Sequence, residues 1–281
     1  MADTHRSKIR ATFAEPRYEI IPMKGVEQEI AYLPDNAVVT VTSSPTKGMD
    51  ATLSLVSLLR RREHARVVPH IAARLVVDTV HLKDVLQQLT DIGVGEVFVV
   101  AGDAPTPAGQ FEGTVELLHA MADIGHSLRV GITGYPESHA FIPDDTTIRM
   151  MHAKEPYATH IVSQICYDPG VTARWIATVR TRGTQLPIYL GIPGAVDLAK
   201  LVRISLRVGI GDSVRYLRKQ GGTVAKLVGG YRPDALIDEL AATVADPEMH
   251  VAGWHMFTFN EIRRTEAWRQ DLLTRYARTE P

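Results

Sequence analysis

Short apolar runs rich in Val and Ile recur along the chain, and a polar residue stands where many of them stop. Glu-Val-Phe-Val-Val-Ala leads to Gly102 and Asp103, Thr-His-Ile-Val-Ser to Gln164, and Arg-Val-Val-Pro to His70. Glu19, Thr42 and His139 hold comparable places. Continuous apolar runs of this length predict strands buried on both faces, as in a parallel sheet. They fall near Tyr18–Ile21, Ala37–Thr42, Arg66–Ile71, Glu96–Ala101, Arg129–Thr133, Thr159–Ile165, Leu186–Leu190 and His250–Phe257. A polar side chain at the end of a buried strand loses its water hydrogen bonds unless a partner or a ligand replaces them. Several of them, spread along the sequence, predict strand ends that share one site.

Between the strands the period changes to that of a helix. Asp50–Arg61 places Leu53, Val56 and Leu59 on one face, and Asp78–Ile92 does the same with Val85, Leu89 and Ile92 before Gly93. Glu112–Ile124 stops at Gly125, while Asp168–Arg182 opens on Asp168-Pro169 and stops at Gly183. Asp-Pro and Gly are the residues that favour helix starts and ends. Strands alternating with helices in this number predict an α/β fold, a (β/α)8 TIM barrel, over an open sheet. Residues from about Ala195 to Ala245 carry more helical pattern than one crossover requires, which predicts an extra helix before the last strand. The expected organisation is a flexible N-terminal arm over residues 1–12 and a single barrel domain over 13–281.

Charge narrows the partners. With 31 basic and 32 acidic residues in 281, the chain carries no global field for nucleic acid or an anionic membrane surface. A hydrophobic share of 45% suits a large core. No apolar run approaches the roughly 20 residues that span a bilayer. The first ten residues are charged and no apolar segment follows them, so no secretory signal is expected. The one cysteine, Cys166, excludes an intramolecular disulfide and reads as a small buried residue. A cytoplasmic protein is the expectation.

Familiar metal and nucleotide motifs are missing from the sequence. None of the eleven histidines pair at the helical spacing of a zinc site, and there is no Cys-x-x-Cys, so no metal is expected. The phosphate-binding P-loop and the Gly-x-Ser-x-Gly elbow are absent as well. Chemistry therefore falls to carboxylates and hydrogen-bonding groups.

Seven segments in order carry a resemblance: Tyr18-Glu19-Ile20-Ile21-Pro22, Pro69-His70-Ile71, Gly102-Asp103-Ala104-Pro105, Gly134-Tyr135-Pro136-Glu137-Ser138-His139, Ser163-Gln164-Ile165-Cys166-Tyr167-Asp168, Gly191-Ile192-Pro193 and His255-Met256-Phe257-Thr258-Phe259-Asn260. Together they resemble the methylenetetrahydrofolate reductases, over nearly the whole chain. The resemblance implies a (β/α)8 barrel that reduces methylenetetrahydrofolate to methyltetrahydrofolate, normally with a bound FAD reduced by NADH or NADPH. It also implies that Glu19 supplies a proton, because the bridging methylene is unreactive until protonation opens its ring and exposes an iminium carbon to hydride. Asp103 matches the aspartate facing the pterin, and Gln164 matches a glutamine that binds folate with both donors and an acceptor.

The departures from that family fall more on the flavin side than on the folate side. Ala101 stands where an arginine usually precedes Gly-Asp, and the nearest match to a flavin-side lysine is Lys154, preceded by Ala153. Neither alanine replaces the bidentate anion contact of a guanidinium. On the folate side, Leu198 takes the place of an aromatic residue. The expectation is a reductase without flavin. NADH or NADPH would deliver hydride directly from a pocket near Thr42, His70, Gly102, Tyr135, His139 and Lys154. Two rivals stand beside it: an FAD enzyme of the same family, and a catalytically weak subunit that binds folate or a partner protein.

Overall fold

The computed structural model describes residues 2–35, 37–62, 66–137, 144–207 and 230–277. Eight strands close in sequence order into a barrel: β1 (Arg17–Ile20), β2 (Val38–Val41), β3 (Arg66–Ala72), β4 (Glu96–Val100), β5 (Arg129–Gly134), β6 (His160–Ser163), β7 (Ile188–Pro193) and β8 (Val251–Phe257). Every neighbouring pair is parallel, including the closing pair of β1 and β8. Helices α1 (Ala2–Thr12), α2 (Val26–Glu29), α3 (Gly48–Arg61), α4 (Thr79–Asp91), α5 (Thr114–Ile124), α6 (Asp144–Lys154), α7 (Pro169–Thr181), α8 (Leu198–Arg207), α9 (Asp234–Ala245) and α10 (Ile262–Ala277) alternate with the strands. The single (β/α)8 barrel expected from the sequence is the fold, and α8 and α9 between β7 and β8 include the extra helix.

Local chemistry explains the boundaries. Asp78 caps α4 by accepting from the His81 N–H at 2.8 Å, and Asp168 caps α7 from the Val171 N–H at 3.0 Å, just before Pro169. Gly93 ends the first of these helices in a left-handed turn at φ 76°. β7 reaches Pro193, further than its apolar run suggested, because Gly191 to Pro193 pair with β8.

The segment expected as a flexible arm is helical. Residues 2–12 form α1, and Ile9 and Phe13 are fully buried. Phe13 stacks on Trp254 at 5.2 Å and meets Trp268 edge-on at 5.8 Å, while Trp254 Nε1 donates to Thr12 Oγ1 at 2.9 Å. The apolar pair four residues apart was hidden among charges, yet it is the face a helix buries. The last turn of α1 and Phe13 therefore pack on the barrel through Trp254 and Trp268.

Strand alternation divides the residues of β1. Tyr18 and Ile20 pack outward in the main core, while Arg17 and Glu19 point into the barrel. The interior is layered, as such barrels usually are. At its floor Arg17 bonds Glu96 at 2.7 Å and lies 4.0 Å over the Tyr189 ring, with His160 Nε2 3.3 Å from the same carboxylate. Above lies an apolar layer of Val38, Val68, Phe98 and Val162. The layer over that, at the C-terminal ends of the strands, is polar again.

Candidate active site

Glu19 sits in this upper layer, beside Thr40 of β2 and Phe257 of β8 in register. The turn after β8 fastens the end of β1. Thr258 Oγ1 donates to the Glu19 carbonyl at 2.6 Å, and the Asn260 side chain both accepts from the Ile21 N–H at 2.8 Å and donates to its carbonyl at 2.9 Å. Phe259 and Asn260 adopt successive left-handed conformations, φ 50° and 60°, to make that turn. Such residues cost on the order of 1–3 kcal/mol each and persist where their surroundings hold them.

The Glu19 carboxylate meets two imidazoles. His255 Nε2 lies 3.0 Å from Oε2, and His70 Nε2 lies 3.7 Å from the same oxygen. The Phe98 ring lies beside both histidines, 4.8 Å from His70 and 6.4 Å from His255, and Phe257 meets His255 at 4.9 Å. Burial pushes His70 down to about 4, with the Glu19 charge opposing the shift and His255 adding to it. His70 is thus a neutral imidazole at neutral pH. Thr42, just past β2, donates its N–H to Ile20 and accepts from Thr52, so it stands next to this group.

A second group lies beyond β4 and β5. Gly102 turns at φ 90°, where an added Cβ would approach Ala72 Cβ to 2.9 Å, and Asp103 follows it, exposed. The loop is held from β3's end by Arg74. Its guanidinium donates to the carbonyls of Ala104 at 2.7 Å, Pro105 at 2.9 Å and Glu112 at 3.2 Å. Burial raises the Tyr135 phenol, a hydrogen bond with Thr133 opposes that rise, and the Asp103 charge adds to it. Lys154 Nζ reaches the same Thr133 hydroxyl at 3.3 Å. This amine is 5% exposed, and burial lowers it to about 8. Thr133 therefore joins Tyr135 and Lys154, with Asp103 beside them.

The third side of the mouth is apolar. Leu198 packs with Phe257 against Ile165, Tyr167, Val196, Leu201, Tyr231 and Phe259. Gln164 stands at its edge, half-buried, its Oε1 accepting from the Ile165 N–H at 2.9 Å. Its amide N–H groups take no partner among the described residues. Cys166 is buried, its thiol pushed up to about 12 by burial, and is no nucleophile. Among the described residues no group of His, Cys, Asp and Glu is arranged to hold a metal, and no helix is long and apolar enough to cross a membrane.

The structure thus brings Glu19, His70 and Thr42 together, and gathers Gly102, Asp103, Tyr135 and Lys154 separately. Gln164 and Leu198 line the remaining side. His139 lies outside the described residues. Sequence reasoning assigned no role to His255, Thr258, Asn260 or Arg74. The first three stand in the segment His255 to Asn260, whose order carried part of the resemblance, and Arg74 follows Ala72-Ala73 with no motif to mark it.

A closed α/β barrel that gathers polar side chains at its C-terminal strand ends has the build of an enzyme of that fold. Residues 23–262 match the family described as "Methylenetetrahydrofolate reductase", and the chain belongs to that family. Glu19 lies just upstream of the matched stretch. Among solved structures, the chain is similar to an uncharacterized protein from Clostridium thermocellum that binds two copies of 5-methyl-5,6,7,8-tetrahydrofolic acid. The TM-score is 0.63 at 11% identity, covering 95% of this chain and 99% of that one. A looser likeness is to the carboxyl transferase domain of Rhizobium etli pyruvate carboxylase, with a TM-score of 0.44 and 13% identity over 88% of this chain and 49% of the other.

Proposed function

We propose that the protein reduces methylenetetrahydrofolate to methyltetrahydrofolate, with NADH or NADPH giving hydride directly to the substrate. The observation that carries this reading is Glu19, held at the mouth of the barrel against two imidazoles and free of any arginine or lysine partner among the described residues. A carboxyl group so placed can give its proton to the substrate's bridging amine, which opens the ring and leaves a carbon that accepts hydride. Asp103 offers a carboxylate to the donor edge of the pterin, and Gln164 an amide. The apolar wall of Phe257, Leu198 and Tyr167 suits the flat rings beside them. The folate bound by the similar Clostridium barrel is in keeping with a pterin at this mouth.

The flavin-free part rests on the groups that would hold FAD. The residues present fit its diphosphate poorly: Ala101 and Ala153 offer no cation, and Lys154 is buried against Thr133. With no flavin to store the hydride, both substrates must be bound together. Their proximity would then supply much of the rate.

The test is the visible absorption of the purified protein, followed by NADH oxidation with and without methylenetetrahydrofolate. A colourless protein that oxidises NADH only with the folate present is the expected result. Flavin absorbance with alternating half-reactions would make it an FAD enzyme of the same family. Folate binding without turnover would make it a binding subunit.

A further inference from the structure

We infer that His255 is a positioning residue that decides which oxygen of Glu19 carries the reacting proton, an inference resting on the reductase reading above. Both histidine contacts converge on one oxygen: His255 Nε2 at 3.0 Å and His70 Nε2 at 3.7 Å both face Oε2. The other oxygen, Oε1, takes no hydrogen bond from the described residues, and 13% of the side chain stays open. A protonated carboxyl carries its hydrogen on one oxygen. With Oε2 accepting from His255 Nε2–H, that hydrogen belongs on Oε1, the side left for substrate.

The same contact sets the imidazole tautomer. His255 Nδ1 is buried with no partner, as is His70 Nε2. A buried N–H without an acceptor is rarer than a buried acceptor without a donor. The His255 hydrogen therefore sits on Nε2, where it has an acceptor, and Nδ1 keeps a bare lone pair among the rings of Phe98 and Phe257. His70, kept neutral by its burial, brings no cation that would turn Glu19 into a standing ion pair.

The step balances without another reagent. The Oε1–H bond breaks and the proton goes to the substrate's bridging nitrogen. The bond from that nitrogen to the methylene carbon then breaks, and its electron pair stays on the nitrogen. Negative charge develops on the Glu19 carboxylate, and the donor already aimed at Oε2 stabilises it with no reorganisation. His70 Nε2 stands by on the same oxygen.

Two substitutions separate positioning from packing. His255→Leu removes the donor, while His255→Gln keeps an N–H within reach of Oε2. His255→Leu is expected to lower kcat about a hundredfold with both KM values within about threefold, and His255→Gln to recover it to within about tenfold of the parent. A kcat in His255→Leu within about twofold of the parent, or equal losses in the two variants, would overturn the inference. Side-chain nitrogen NMR of the unsubstituted protein decides it independently of turnover and of how the variants fold. The signal of His255, assigned by its loss in His255→Gln or by selective labelling, is expected as the Nε2–H tautomer at pH 7. An Nδ1–H tautomer, with Nε2 bare, would refute it. If the unsubstituted protein fails to turn over methylenetetrahydrofolate, the reductase reading falls, and the tautomer result still decides whether His255 orients Glu19.

Discussion

Two glutamates occupy the barrel interior, and they make a natural comparison. Glu19 at the mouth and Glu96 at the floor are nearly equally covered, with side chains 13% and 11% exposed, and each has a histidine beside it. What differs is the cations. Glu96 is gripped by Arg17 at 2.7 Å and approached by Arg129 at 3.5 Å, whereas the charged or titratable partners of Glu19 among the described residues are both imidazoles. Equal burial thus comes with an arginine ion pair at one end and with imidazole neighbours at the other. Partners, rather than depth, divide structure from chemistry within one fold.

The widest test of that division is to neutralise each acid in turn. Glu19→Gln should cut turnover by about two to four orders of magnitude, read as kcat, with melting temperature little changed. Glu96→Gln should do the reverse: it strands the buried Arg17, destabilises the fold by about 3–5 kcal/mol in denaturant titration, and leaves the kcat of the folded fraction alone. Loss of activity without loss of stability in Glu96→Gln would erase the contrast.

Acid titration sharpens it next. Burial lowers His70 to about 4, and lowers His160 to about 2 with the charges of Arg17 and Arg129 adding. Above the ordinary histidine value of about 6.5 both folded and unfolded chains are unprotonated there, so stability is level. As pH falls below it, the unfolded state takes up protons that the folded state refuses. Stability is then lost at up to about 1.4 kcal/mol per pH unit for each histidine. The mouth's share should end near pH 4 and the floor's should continue. Unfolding free energies of His70→Asn and His160→Asn across pH 4 to 7 would show each share disappear.

Smaller effects belong to the groups around the mouth. Arg74→Ala should loosen the loop that carries Asp103, raising the folate KM roughly tenfold, about 1.4 kcal/mol, with kcat nearly kept. Hydrogen exchange over residues 101–113 should quicken in step. Smallest of all, Lys154→Met should raise stability at pH 7 by about 1 kcal/mol, because it removes an amine that is desolvated for a single hydrogen bond. Its effect on nicotinamide KM gauges how far that buried lysine meets a phosphate.

The barrel was legible in the sequence because parallel strands buried on both faces must read as unbroken apolar runs, and the helix stops at Gly93 and Gly125 stand in the open. Helix α1 was not, since two apolar residues among many charges give little signal until Trp254 and Trp268 are in place to receive them. Glu19 could be picked out, since a carboxylate in an apolar strand is costly. Its partners could not. His255 lies 236 residues away in sequence, and only closure of the barrel makes the two neighbours. Arg74 works on backbone carbonyls, which carry no sequence mark at all.

That separation has a bearing on how the protein comes into being. Contacts between the first and last strands are the slowest kind to form, since the longest loop must close before they repay anything. A chain still emerging from the ribosome can stack β1 to β7 and yet hold Glu19 without His255, Thr258 or Asn260. The upper layer around Glu19 is therefore completed in a single event, at the sealing of the last seam.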